Sequence, residues 1–290
     1  MSSNDQKFIE NLFYMEANKK RLYQDVDFLS SIRPFRNYKN IESLRKAAKY
    51  IEHEFKKINL TTSRQQWEAK GNMYENIIAS HQPEKKRRLI IGAHYDVYKN
   101  QPGADDNTSG VAGLLETARL LVKTNPEIDY GIDFVSYCLE EPPFFRSEEM
   151  GSFIHAKSVH EHNQDIIGMI SFEMIGYFAG NPDEPPSSNP PSVIVSGIRK
   201  YEDFNKKVSE LLKANSNLGA KRVTFANGYA NNGPSDHRNY WTFNYPAVMI
   251  IAASKNPHYH QESDTIDTLD FGHLAEVVNS SIHAVSHLGK

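Results

Sequence analysis

The residues best able to do chemistry in this chain stand just after its short apolar runs. His94 and Asp96 follow the run 89–93, and if the strand continues through them both side chains project to one face. A carboxylate beside a histidine fixes the imidazole tautomer and strengthens it as a metal ligand. The alternative for such a pair is a hydrogen-bonded histidine at a strand end. Glu140 and Glu141 follow the run 132–139 and lead directly into Pro142 and Pro143. Adjacent like charges at a partly buried strand end repel, and lost solvation raises the cost unless cations compensate. This pair therefore points to a functional site more than to a solvated turn. Glu173 lies between apolar neighbours in SFEMIGY, where a carboxylate is expensive to bury unless it is paired or binds a metal.

Other segments are weaker when taken alone. In PGADDNTSGVAGLLETARLL, Asp105 and Asp106 precede Asn107, Thr108 and Ser109, good N-cap types for the amphipathic helix that follows. Capping and the helix dipole account for one acidic residue, at about 0.3 to 1 kcal/mol; a second invites another role. His260 belongs to the polar turn NPHYHQESDTIDTL, where an exposed histidine ordinarily needs no explanation, and His258 competes with it. Asp236 and His237 are expected to cap a helix that supports the site from outside.

Such residues need a frame to position them. Apolar runs at 77–79, 89–93, 132–139, 166–172, 193–195 and 247–253 are each short enough for a buried strand. Helical patterns fall at 41–58, 109–123, 200–213 and 268–288, the first with Ile41, Leu44, Ala48, Ile51, Phe55 and Ile58 on one face. Strands alternating with helices predict one α/β domain over residues 1–290, with a mixed, largely parallel central sheet flanked by helices. Residues 1 to about 40 read as a helical extension packed on that domain. Ligands of open α/β sheets bind beyond the carboxyl ends of the strands, where His94, Glu140, Glu141, Glu173 and His260 all fall. The Pro- and Ser-rich stretch 179–192 reads as a surface loop, because regular patterns resume after it.

Composition narrows the partners. With 39% hydrophobic and 24% charged residues among 290, and no apolar segment near the ~18 to 20 residues of a membrane span, a membrane protein is not expected. A net charge of -3 without an extended basic stripe argues against nucleic acid. The run Lys85, Lys86, Arg87, Arg88 reads as a solvated turn before a strand. The polar N-terminus makes a cytoplasmic location the default, with secretion or a periplasmic location open if a leader has been removed. The single Cys138 reads as a buried, inert thiol.

Together, GAHYDVY, PGADDNTSG, SYCLEE, FEMIGY, PSDH and HYHQESDT occur in the order found in the zinc metallopeptidase family of bacterial leucyl aminopeptidase, aminopeptidase S and glutamate carboxypeptidase. From about residue 40 to its end the chain resembles that family. The resemblance implies an aminopeptidase with two co-catalytic zinc ions, acting on peptides with a free N-terminus. It implies that His94 and Glu173 hold one zinc, that Glu141 and His260 hold the other, and that Asp106 bridges both. It makes Glu140 the general base on a zinc-activated water and Asp96 the residue that orients His94. Spacing to the SDT segment favours His260 over His258. Tyr229 resembles a family tyrosine that assists the oxyanion, and the loop PPFFRSEEMGS is expected to rim the site and alter specificity.

Rival readings remain at this point. A glutaminyl cyclase shares the fold but typically uses one zinc and lacks the bridging ADD motif. A catalytically inactive relative serving as a binding domain would usually have lost ligands. A carboxypeptidase for acidic C-terminal residues would want an arginine cluster, for which Arg146 alone stands out.

Overall fold

The computed structural model describes residues 16–179, 192–214, 217–228 and 233–289. Within them one mixed sheet contains eight strands: β1 Thr61–Ala69, β2 Asn72–His81, β3 Arg87–His94, β4 Gly131–Tyr137, β5 Asp165–Glu173, β6 Ser192–Ile198, β7 Gly219–Phe225 and β8 Ala247–Ala252. Their spatial order is β1-β2-β4-β3-β5-β8-β6-β7. The middle four, β4, β3, β5 and β8, run parallel, while β2 and β6 flank them antiparallel. The helices are α1 Lys19–Ser30, α2 Ile41–Lys57, α3 Gly110–Thr124, α4 Gly151–Glu161, α5 Glu202–Lys213, α6 His237–Thr242 and α7 Phe271–His287.

The middle strands read as unbroken apolar runs because both their faces are covered. Leu89, Ile91 and Ala93 of β3 enter one core while Ile90 enters the other, and Phe134 and Val135 of β4 divide in the same way. The larger core lies under α1, α2, α3, α5 and α7; the smaller lies under α4 and α6. On α2 the expected face is buried through Leu44, Ala48, Ile51 and Phe55. Helix α3 is buried along its whole length from Gly110 to Leu121, as its place between sheet and outer helices requires.

Helix α1 is capped by Asn18, whose side chain accepts the Arg21 amide, and packs on α3 and α7. An ionic cluster ties it down. Arg119 of α3 donates to Asp25 of α1 at 2.6 Å and to Glu54 of α2 at 2.7 Å, while Arg21 Nε donates to Glu116 at 2.8 Å.

The structure differs from expectation at the margins of the sheet. β1 and β7 carry no apolar run, because each is an edge strand with mostly exposed or half-buried side chains. α4 buries Ser152, His155 and Gly151 along with Ala156 and Val159, so its inner face lacks an apolar stripe. Arg88 is not in a solvated turn: it lies in β3, buried, with Nη2 2.6 Å from Asp133 of β4. Of the stretch 179–192, residues 180–191 lie outside the described residues. No described helix is long and apolar enough to cross a membrane.

Candidate metal centre

The parallel strands end side by side, with His94 opposite Tyr137 across β3 and β4, and Glu173 opposite Ile251 across β5 and β8. His94 and Glu173 are themselves the last residues of β3 and β5. Glu140 and Glu141 follow β4 by three and four residues, and Asp106 lies in the turn Ala104–Ser109 that enters α3. His260 reaches the same place from the loop after β8, with its own backbone in the left-handed region at φ 59°.

The side chains meet around Asp106. His94 Nε2 lies 3.4 Å from Asp106 Oδ1 and 3.5 Å from Glu173 Oε2; His260 Nε2 lies 3.2 Å from both Asp106 Oδ2 and Glu141 Oε2. Glu140 Oε2 stands 3.9 Å from His94 Nε2. All the carboxylates are buried, yet Asp106 Oδ2 and Glu141 Oε1 make no hydrogen bond. Ligand atoms about 2.0 to 2.2 Å from a tetrahedral zinc are about 3.3 to 3.6 Å apart, so these spacings fit atoms converging on shared ions. Nitrogen and oxygen donors of this mixture also suit zinc. His94, Asp106 and Glu141 by themselves already bring one donor atom each within 4.8 Å of one another.

A second layer holds the donors in place. Asp96 does two jobs: one carboxylate oxygen is 3.5 Å from His94 Nδ1, and the two oxygens accept the amides of Glu140 and Glu141 at 3.1 Å each. Asp264, which sequence reasoning passed over, accepts the amides of Asp105 at 2.8 Å and Asp106 at 3.1 Å. Only its place in the SDT segment hinted at this, since the contact spans 158 residues of chain. Asp105 faces away from the donors: it accepts the amides of Gly176 and Tyr177 and the Asn256 side chain, clamping two loops to the helix entrance. Ser109 donates to Asp105 instead of capping α3. The imidazole of His260 is stacked between Tyr98 at 4.0 Å and Tyr259 at 3.9 Å, a sandwich that fixes its plane.

Other expected residues sort differently. Asp236 precedes α6 but does not cap it through its side chain; Ser235 instead donates to Glu173 Oε2 at 2.6 Å. His258 is 2.9 Å from Ser263 Oγ and takes no part in the cluster. Cys138 is free and buried, and burial pushes its thiol well above the ordinary range. Tyr229 lies outside the described residues. Sequence reasoning also missed Arg36, whose buried guanidinium donates to the Tyr95 carbonyl at 2.9 Å and to Thr108 Oγ1 at 2.6 Å, bracing both loops that carry Asp96 and Asp106.

Without cations the cluster is frustrated, and its titration shows it. Burial, with the neighbouring charge of Asp106, raises Glu141 to about 8 against the pull of His260. Burial holds Glu140 well above the usual carboxylate range against the pull of His94, with Glu141 and Glu173 adding to the rise. Burial alone would lower His260, but Asp106 and Glu141 raise it to about 9. Burial works against Asp106 too, yet the imidazoles of His260 and His94 facing its two oxygens bring it down to about 2.

Known proteins resemble this chain in sequence and in fold. The profile of peptidase family M28 matches residues 76–285. The uncharacterized protein YfbL of Escherichia coli (strain K12) is 37% identical, over 92% of this chain and 87% of its own. Leucine aminopeptidase 1 of Blastomyces gilchristii (strain SLH14081) is 29% identical over 69% of this chain, and the match spans only 52% of that relative. Among solved structures, LapB from Legionella pneumophila superposes with a TM-score of 0.80 at 22% identity, covering 97% of this chain and 74% of LapB. A glutaminyl cyclase from Bacteroides thetaiotaomicron superposes with 0.72 at 21% identity, covering 94% and 99%. These superpositions show a shared fold.

Proposed function

The chain belongs to peptidase family M28 and is a metal-dependent peptidase; from that premise we propose that it is an aminopeptidase working with two zinc ions. The observation that carries the reading is the division of Asp106, one oxygen turned to His94 and the other to His260. In this reading His94, Asp106 and Glu173 hold one ion and Asp106, Glu141 and His260 hold the other. Bound zinc supplies Lewis acidity towards the scissile carbonyl and brings the pKa of water down to about 7.

The chain's own residues do the rest. Glu140 takes a proton from the attacking water and delivers it to the leaving nitrogen as the carbon–nitrogen bond breaks. The products are a carboxylate and a protonated amine, so protons and electrons balance without another reagent. Asp96 sets the geometry for both steps, because it fixes the backbone of Glu140 and Glu141 and flanks His94 at once. Tyr229 is proposed as the donor to the developing oxyanion.

The test is a pair of substrates that differ only at the amine. The zinc-loaded protein is expected to hydrolyse leucyl peptides and to lose turnover when their N-terminus is acetylated. Efficient cleavage of the acetylated peptide would remove the exopeptidase reading while leaving a metallopeptidase. Cyclisation of an N-terminal glutamine, with no hydrolysis, would favour the acyltransferase reading instead.

A further inference from the structure

The two histidines of the centre are held by different means. Nδ1 of His94 faces Asp96, 3.2 Å from its carbonyl oxygen and 3.5 Å from its carboxylate, so a polar partner fixes that ring. His260 turns Nε2 to Asp106 and Glu141, and among the described residues its Nδ1 has no hydrogen-bond partner. Flat surfaces hold it instead: Tyr98 lies at 4.0 Å and 13° on one face of the ring, Tyr259 at 3.9 Å and 21° on the other.

The backbone on both sides of this stack is pinned. The Val97 amide donates to the Arg36 carbonyl at 3.1 Å and the Lys99 carbonyl accepts from the Asn37 side chain at 2.6 Å, so Tyr98 stands on a fixed loop. Asn256 donates to Asp105 at 2.7 Å and Asp264 accepts the amides of Asp105 and Asp106, which brackets the loop carrying His260. These bonds place the backbone of His260 and leave the rotation of its side chain to the two tyrosines. A ligand side chain that turns freely loses rotamer entropy when it binds, whereas a stacked ring has already lost it. The inference rests on the two-ion reading of the centre. We propose that Tyr98 and Tyr259 are positioning residues for its His260 half, so that aromatic stacking supports the affinity of that ion and leaves the ion beside His94 untouched.

Zinc titration of metal-free protein against a competing chelator tests this on Tyr98→Phe, Tyr98→Leu, Tyr259→Leu and the double leucine variant. Tyr259 is exposed and Tyr98 half-buried, so the fold tolerates each change, which urea unfolding of the metal-free forms checks. Each leucine is expected to weaken one of the two ions about 3- to 10-fold, the scale of one aromatic pair. Both together should weaken it about 10- to 100-fold, the scale of removing an outer partner from a metal-bound histidine. Tyr98→Phe, which keeps the ring, should bind both ions as the unmodified protein does. Imidazole nitrogen resonances say which ion is affected, those of His260 being assigned by their loss in His260→Gln. In the leucine variants His94 should respond at the original zinc concentration and His260 only at a higher one. Unchanged binding of both ions in the leucine variants overturns the inference, as does equal weakening of both ions, or a loss in Tyr98→Phe as large as in Tyr98→Leu. A single ion at saturating zinc in the unmodified protein removes the two-ion reading, and this inference falls with it.

Discussion

Buried carboxylates gather in two regions of this molecule, and the regions differ in what neutralises them. Where α1, α2 and α3 meet, Asp25, Glu54 and Glu116 surround Arg119, with Arg21 and Lys57 closing the cluster from outside. At the carboxyl ends of the strands, Asp106, Glu140, Glu141 and Glu173 face the imidazoles of His94 and His260. Burial acts on both sets. Glu54 nevertheless titrates below its usual value, because Lys57 and Arg119 outweigh burial, whereas Glu141 rises to about 8. The first cluster is closed by the chain itself and fastens helices together; the second, in the proposed reading, is left for divalent ions to close.

The largest effect separates two neighbours within the open cluster. Glu140→Gln is expected to lower kcat by roughly 10² to 10⁴-fold, the scale of general acid-base catalysis, while metal content stays unchanged. Glu141→Gln is expected to lose metal affinity, with activity partly recovered at high zinc. Metal analysis beside the rates decides: loss of metal from Glu140→Gln with retention in Glu141→Gln would reverse the two roles.

A second contrast pits the clusters against each other in stability. Removing a cation from the closed cluster strands buried carboxylates, so Arg119→Met is expected to cost about 3 to 5 kcal/mol in urea unfolding. Glu141→Gln in metal-free protein should cost little, since Glu141 at about 8 is already protonated at pH 7 and the amide replaces a neutral acid of the same shape that can still accept from His260. Comparable destabilisation by the two substitutions would mean that both clusters are structural.

Much of this frame is legible in the sequence, for a physical reason. Strands covered on both faces must be apolar throughout, so β3, β4, β5 and β8 stand out as runs, and the polar residues ending them mark the site. Edge strands are freed from that requirement, which hid β1 and β7, and the histidine and serine on the inner face of α4 hid that helix. Among the candidate site residues, Glu140, Glu141 and Glu173 are legible as costly carboxylates and His94 as a strand-end histidine, whereas choosing Asp106 over Asp105 needed the family resemblance. His260, in an unremarkable polar turn, needed the family resemblance to be singled out. The supports Asp264, Arg36 and Ser235 are not legible, because each acts through hydrogen bonds across a long sequence separation.

The proton content of the open cluster yields a smaller, graded effect. In metal-free protein at pH 7, Glu141 at about 8 and His260 at about 9 both hold protons, and as metal ligands both must lose them. Zinc binding should therefore release protons, and apparent affinity should fall as pH drops below about 9 and more steeply below about 8, by up to about tenfold per pH unit for each proton displaced. Calorimetry in two buffers of different ionisation enthalpy measures the release. Affinity independent of pH between 6 and 8 would contradict the assigned proton load.

The central claim is that one carboxylate, Asp106, serves two metal sites at once. Titrating metal-free protein with zinc, followed by metal analysis of the gel-filtered complex, tests it most directly when done in parallel on Asp106→Asn. The account predicts two ions per chain for the unmodified protein and weakened binding of both in the variant. A single ion at saturating zinc, or a variant that loses one ion and keeps the other at full affinity, would contradict it.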